Sequence, residues 1–116
     1  HGAYEYDALD DYPDFIFPCA KAVAEDSKSR GIILGGSGQG EAMAANRFNS
    51  VRAAVYYGGS SELIKLSRLH NNANVLSIGA RFADQSKIMD LIKLWLDTDF
   101  EGDRHQRRIE KLDKLV

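Results

Sequence analysis

"GIILGGSGQGEAMAANRF", residues 31–48, passes from an apolar run into a cluster of glycines and then into helix-forming residues. A short apolar run bounded by turn residues suits a strand buried in a parallel sheet. Glycines end that strand, and 41–47 reads as the helix that follows. Strand, tight glycine turn and helix together open a β-α-β unit and point to an α/β fold.

The alternation continues downstream. "VRAAVYYG" (51–58) is a second strand, closed by Gly58 and Gly59, and "SSELIKLSRLHNN" (60–72) places Leu63, Ile64, Leu66 and Leu69 at helical spacing. "NVLSIGA" (74–80) is a third strand. "DQSKIMDLIKLWLDT" (84–98) is a helix capped by Asp84 that buries Ile88, Leu91, Ile92 and Trp95. "GDRHQRRIEKLDKLV" (102–116) is a charged helix with an apolar edge at Ile109, Leu112 and Val116. Upstream, 1–14 is an acidic, turn-rich loop closed by Pro13, and 15–25 is an amphipathic helix with Phe15, Ala22 and Val23 among its apolar positions. Alternating elements of this kind build a parallel sheet with helices on both faces, a three-layer α/β/α arrangement.

Three strands are few for such a sheet. One more strand-helix-strand unit upstream would complete it, so 1–116 reads as a single domain whose N-terminal β-α-β unit is missing. A sheet in that condition exposes apolar strand edges.

The bulk numbers narrow the function. The 116 residues suffice for one core and not two. A formal charge of −2 gives no basic footprint for nucleic acid. No apolar run approaches the ~20 residues that cross a bilayer, and no secretory signal pattern opens the chain. The single cysteine, Cys19, cannot form an internal disulfide and fits a reducing cytoplasm. Its apolar-periodic surroundings suit a small buried hydrophobe, with no activating group beside it.

Ligands of parallel sheets bind beyond the C-terminal ends of the strands, so the turn after Leu34 is the expected site. Gly35, Gly36, Gly38 and Gly40 let backbone amides approach a ligand, and the helix start adds partial positive charge. Three known motifs nearly fit and each fails. A P-loop needs lysine after its last glycine, where this chain has Glu41; the dinucleotide fingerprint from Gly36 needs glycine at the same position. A nucleophile elbow at Ser37 needs glycine where Gln39 stands. Glu41 itself has two readings. Glutamate favours the positive end of a helix dipole. Beside a nest of amides it is also a general base, removing a proton next to a carbonyl while the amides hold the enediolate oxygen.

"GGSGQGEAMAANRF…VRAA", "RLHNNANVLSIGAR", "FEGDRHQRRIEKL" and "DDYPDF" resemble the ribose-5-phosphate isomerase B family, which includes the galactose-6-phosphate isomerase subunits. The motifs occur in the family's order and cover nearly the whole chain. The resemblance implies a Rossmann-like α/β/α fold and a cofactor-free, metal-free aldose–ketose isomerase of sugar phosphates, working through a cis-enediolate. It also implies a homodimer, or a tetramer built from one, with active sites shared between subunits. One branch of the family carries a catalytic cysteine where this chain has Gly35; the other has glycine there and a glutamate at the helix start, as here.

By that resemblance Glu41 is the base between C1 and C2, and Cys19 has no role. Ser37, Gly36 and the amides of Gly38, Gln39 and Gly40 cradle the reacting oxygens. His70 opens the furanose ring, Asn71 holds a substrate oxygen, and Tyr12 lines the sugar site. Arg81, Arg104 and Arg108 bind phosphate. The residues themselves leave alternatives open. Arg104 and Arg108, four apart, share a helix face that suits either one dianion or solvent. His70 equally suits a helix C-terminus. His105 and Arg107 are expected on the surface or at an interface. The family's opening strand ends in an Asp-His pair that is not found here, since His1 lies downstream of its place.

The substrate expected first is ribose 5-phosphate, interconverted with ribulose 5-phosphate. Allose or galactose 6-phosphate is the variant. The alternative from another class is a non-catalytic phosphosugar-binding or partner subunit on the same scaffold. A flavodoxin-like nucleotide domain comes third, and Glu41 counts against it.

Overall fold

The computed structural model describes residues 1–115, so Val116 of the expected apolar edge lies outside the described residues. The elements are α1 (Pro13–Glu25), β1 (Gly31–Gly35), α2 (Gln39–Ala45), β2 (Ala53–Tyr56), α3 (Glu62–Leu69), β3 (Val75–Gly79), α4 (Gln85–Asp97) and α5 (Arg104–Asp113). The three strands are parallel in the order β1-β3-β2.

β3 is the centre of the molecule, buried at all five positions. Its side chains alternate between two cores. Val75 joins Ile16, Ala20 and Val23 of α1, Ile33 of β1, and Ala44 and Ala45 of α2. Leu76 and Ile78 point the other way, against Tyr56, Ile64 of α3 and Trp95 of α4. Helices therefore cover both faces. Trp95 is fully buried, and an aromatic or aliphatic side chain so covered contributes roughly 1.5–3 kcal/mol over an exposed one.

Several boundaries differ from expectation. Pro13 does not close the loop; it opens α1, where its missing N–H costs nothing because first-turn amides have no helical partner. The buried stripe of α1 is Ile16, Ala20 and Val23, and Ala22 is exposed, roughly a third of a turn off that stripe. α2 starts two residues early, because Gly38 adopts the left-handed conformation (φ 76°) and turns the chain directly into the helix. Asp84 caps α4 as expected, accepting the Ser86 amide at 3.0 Å. Of the four side chains expected under α4, only Trp95 is fully buried; Ile88, Leu91 and Ile92 pack partly covered around it. Ile109 is buried under α5, but Leu112 is 64% exposed.

β1 is an edge strand. Its Ile32 and Leu34 are exposed, at 38% and 61%, and the acidic N-terminal segment runs beside them without helix or strand. A cavity of about 570 Å³ there is lined by Tyr12, Cys19, Ile32 and Leu34 among others.

One buried cation fixes the opposite end of the sheet. Arg68, only 4% exposed, donates to the Thr98 carbonyl (3.0 Å), Asn72 Oδ1 (2.8 Å) and the Ala73 carbonyl (2.7 Å). Burial, reinforced by the positive Arg30 and Arg52, lowers its pKa to about 10. These bonds tie the end of α3, the 70–74 loop and the end of α4 into one rigid corner.

Candidate active site

The glycine turn sits at the C-terminal mouth of the sheet and is held from β3. Ala80 and Arg81 donate their amides to the Gly35 and Gly36 carbonyls at 2.8 and 3.1 Å. The buried Ser77 hydroxyl donates to the Gly38 carbonyl at 2.6 Å. The turn lies so close to β3 that a Cβ on Gly38 would stand 2.9 Å from the Gly79 nitrogen. A loop that could have been mobile is thus a fixed template.

Glu41 stands on the first turn of α2 and is 7% exposed. Its carboxylate folds back over the turn, and a Cβ on Gly35 would land on it. No ion pair or side-chain hydrogen bond holds it among the described residues. The one fully buried polar side-chain atom without a partner among them is Trp95 Nε1, so the unpaired Glu41 oxygens are not fully buried. Around it converge two other expected residues. The Arg81 guanidinium lies over Gly36, 3.2 Å from where a Cβ would be; the Tyr12 hydroxyl lies over Gly40, 2.5 Å from the equivalent point. Ser37 Oγ accepts the Gln39 amide at 3.2 Å, which leaves its own proton free to donate outward and occupies one of the amides expected in the cradle. Cys19 is half-buried against the core, and burial raises its thiol pKa, as suits a packing role.

The remaining candidates are elsewhere. His70 is the C-cap of α3, and Asn71 follows it; both precede β3, at the N-terminal end of the sheet. With His70, Asn71 and Arg108, a cavity of about 390 Å³ is lined by His105, Ile109 and Leu112. Arg104 is one helical turn before Arg108, and both are exposed. The five residues of β3 put about 15 Å between the two ends of the sheet at ~3.3 Å per residue. The structure therefore puts a carboxylate beside the glycine turn at one end of the sheet and an imidazole with arginines at the other.

His105 is a correction. Expected at the surface or at an interface, it is 7% exposed within its own chain, and its ring stacks on His70 with centroids 4.3 Å apart and planes 14° off parallel. Its Nε2 is 3.6 Å from Glu101 Oε2. Its proton affinity is lowered, chiefly by burial and then by the positive potential of His70, Arg104 and Arg108, against the pull of Glu101. The ligand atoms of His70, Glu101 and His105 lie within 4.8 Å of one another. Face-to-face stacking points the in-plane ring lone pairs side by side, which is a poor start for two imidazoles on one metal ion. Neither His105 nor Ser77 carried a sequence signal for its position, because each is placed by a contact with a segment more than thirty residues away.

Fold and site together define a parallel α/β domain with one carboxylate packed against a glycine turn at the C-terminal ends of its strands. The chain belongs to the ribose/galactose isomerase family, whose model matches residues 1–112. It is 44% identical over 112 residues to the probable ribose-5-phosphate isomerase B of Mycoplasma genitalium, covering 96% of this chain and 72% of that protein. To the ribose-5-phosphate isomerase B of Mycolicibacterium paratuberculosis it is 41% identical, over 96% of this chain and 69% of that one. Among solved structures, the M. genitalium isomerase with bound ribulose-5-phosphate superimposes with a TM-score of 0.90 at 42% identity, covering 97% of this chain and 74% of that one. The enzyme from Clostridium thermocellum gives 0.89 at 36%, covering 98% and 75%. The Rossmann-like α/β class expected from the sequence is the class of these structures. Among the described residues, no helix is long and apolar enough to cross a membrane.

Proposed function

We propose that this chain is an aldose–ketose isomerase interconverting ribose 5-phosphate and ribulose 5-phosphate through a cis-enediolate, with Glu41 as the base. The observation that carries this reading is the Glu41 carboxylate: nearly buried, unpaired, aimed back over Gly35 and flanked by Arg81 and Tyr12. In the aldose direction it takes the proton from C2 as the carbonyl electrons move onto O1. A hydroxyl proton passes from O2 to O1, and the carboxyl returns its proton to C1. Charge and atoms balance, and no electron acceptor is needed. The Ser37 hydroxyl and the amides of Gly38 and Gly40 face the developing oxyanion, with Gly36 leaving room for it.

His70 acts as the ring-opening acid and base, Asn71 holds a hydroxyl, and Arg81, Arg104 and Arg108 hold the phosphate. The ring oxygen of a furanose is two bonds from C2, so one chain cannot place both Glu41 and His70 on one sugar. We infer that a second copy supplies the His70 half-site, making a homodimer with two shared pockets. Residues 1–116 then belong to a single isomerase domain, at work in the cytoplasm, with no cofactor required by the steps above.

Replacing Glu41 with Gln keeps the shape and removes the base. The expected result is a fall in kcat of about 10²–10⁴-fold with ribulose 5-phosphate binding retained in calorimetry. Equal rates for the variant and wild type would remove Glu41 from the chemistry, and binding without turnover in the wild type would favour a phosphosugar-binding subunit.

A further inference from the structure

The His70–His105 stack is not needed to hold α5 in place, since Ile109 is already buried beneath that helix and the Glu101 amide fastens the preceding loop to the Leu69 carbonyl at 3.1 Å. Yet the stack orients the ring that the proposed reaction uses. We propose that His105 is a positioning residue for His70: its buried ring packs flat on the imidazole and fixes the plane in which that ring meets the sugar. This rests on the reading of His70 as the ring-opening residue.

Two imidazolium rings 4.3 Å apart would place like charges face to face. Like charge on both rings is therefore disfavoured, and the surroundings hold His105 in its neutral form. His105 is 7% exposed, whereas His70 is half-buried beside a cavity. The charged groups facing His105 are His70 from the end of α3, Glu101 from the loop before α5, and Arg104 and Arg108 from α5 itself. Only Glu101 favours a charge on it. His105 is therefore a flat, neutral and unreactive backing for the ring that meets the sugar.

The chemistry provides a clean separation of roles. An aldose phosphate enters as a furanose and must be opened. A 2-ketopentose phosphorylated at C5 has no free hydroxyl placed to close a furanose, so solvent-hydrogen exchange at its C1 needs the Glu41 step and no ring opening. In the full chain, His105→Ala is expected to slow isomerisation of ribose 5-phosphate at least about tenfold. Its rate of solvent-hydrogen exchange into ribulose 5-phosphate and its KM should stay near those of the wild type. His105→Phe, which keeps a flat ring, should restore the aldose rate to within about twofold.

His70→Asn tests the underlying reading: it should abolish the aldose rate and spare the exchange. If it leaves the aldose rate intact, the assignment of His70 fails. If His70→Asn is impaired while His105→Ala matches the wild type, His70 stands and the role of His105 is overturned. Should His105→Ala fail to fold, NMR titration decides, because the chain has only three histidines. In His70→Asn the midpoint of His105 should rise, because the positive potential of His70 that lowers it is gone; an unchanged midpoint overturns the proposal.

Discussion

The Glu41 carboxylate occupies the space that a side chain on Gly35 would fill. Carboxylate position and glycine are therefore one choice. Gly35→Ala should drive the carboxylate out of its position and lower kcat by about 10²-fold, the scale at which small misplacements of a catalytic group are felt. The melting temperature should change little, because the flexible end of one side chain yields. Wild-type turnover of this variant would show that the carboxylate works from another position.

Mixing two inactive variants checks the divided site. Glu41→Gln and His70→Asn damage opposite ends of the sheet, so a dimer with one copy of each has one intact pocket and one doubly damaged pocket. Random reassortment of C2 dimers should return about a quarter of wild-type activity. No recovery after verified subunit exchange would place both groups in a pocket of one chain.

Ser77 links the core to the turn through its bond to the Gly38 carbonyl. Ser77→Ala leaves that carbonyl without its donor and should cost about 1–3 kcal/mol in chemical unfolding. Activity should fall below that of an equally destabilised variant in the α3–α4 core, such as Ile64→Val. Equal activity of the two would mean that the turn keeps its shape without the hydroxyl.

Arg104 and Arg108 hold phosphate in this reading. Removal of either charge-assisted contact by alanine should raise KM by about 10–100-fold with a smaller loss of kcat. An unchanged KM would assign both to the solvent-facing side of α5.

Much of this was legible because periodicity and glycine chemistry are local. The strand-turn-helix of 31–45, the cap at Asp84 and the carboxylate at Glu41 each announce themselves within a few residues. Pro13 was misread because a proline both closes loops and opens helices, and only the register of Ile16, Ala20 and Val23 decides between them. The burial of Arg68 and His105 could not be read, since a charged residue on a short helix normally faces water. Their partners, the Thr98 carbonyl and the His70 ring, lie thirty or more residues away.

The order β1-β3-β2 also dictates when the pocket comes into being. The first two strands have no contact ladder with each other, and each pairs only with the third. Without residues 75–79 between them there is no sheet, and nothing holds the carbonyls of the glycine turn. The shape of the turn therefore depends on long-range pairing, the kind of contact that is slow to nucleate.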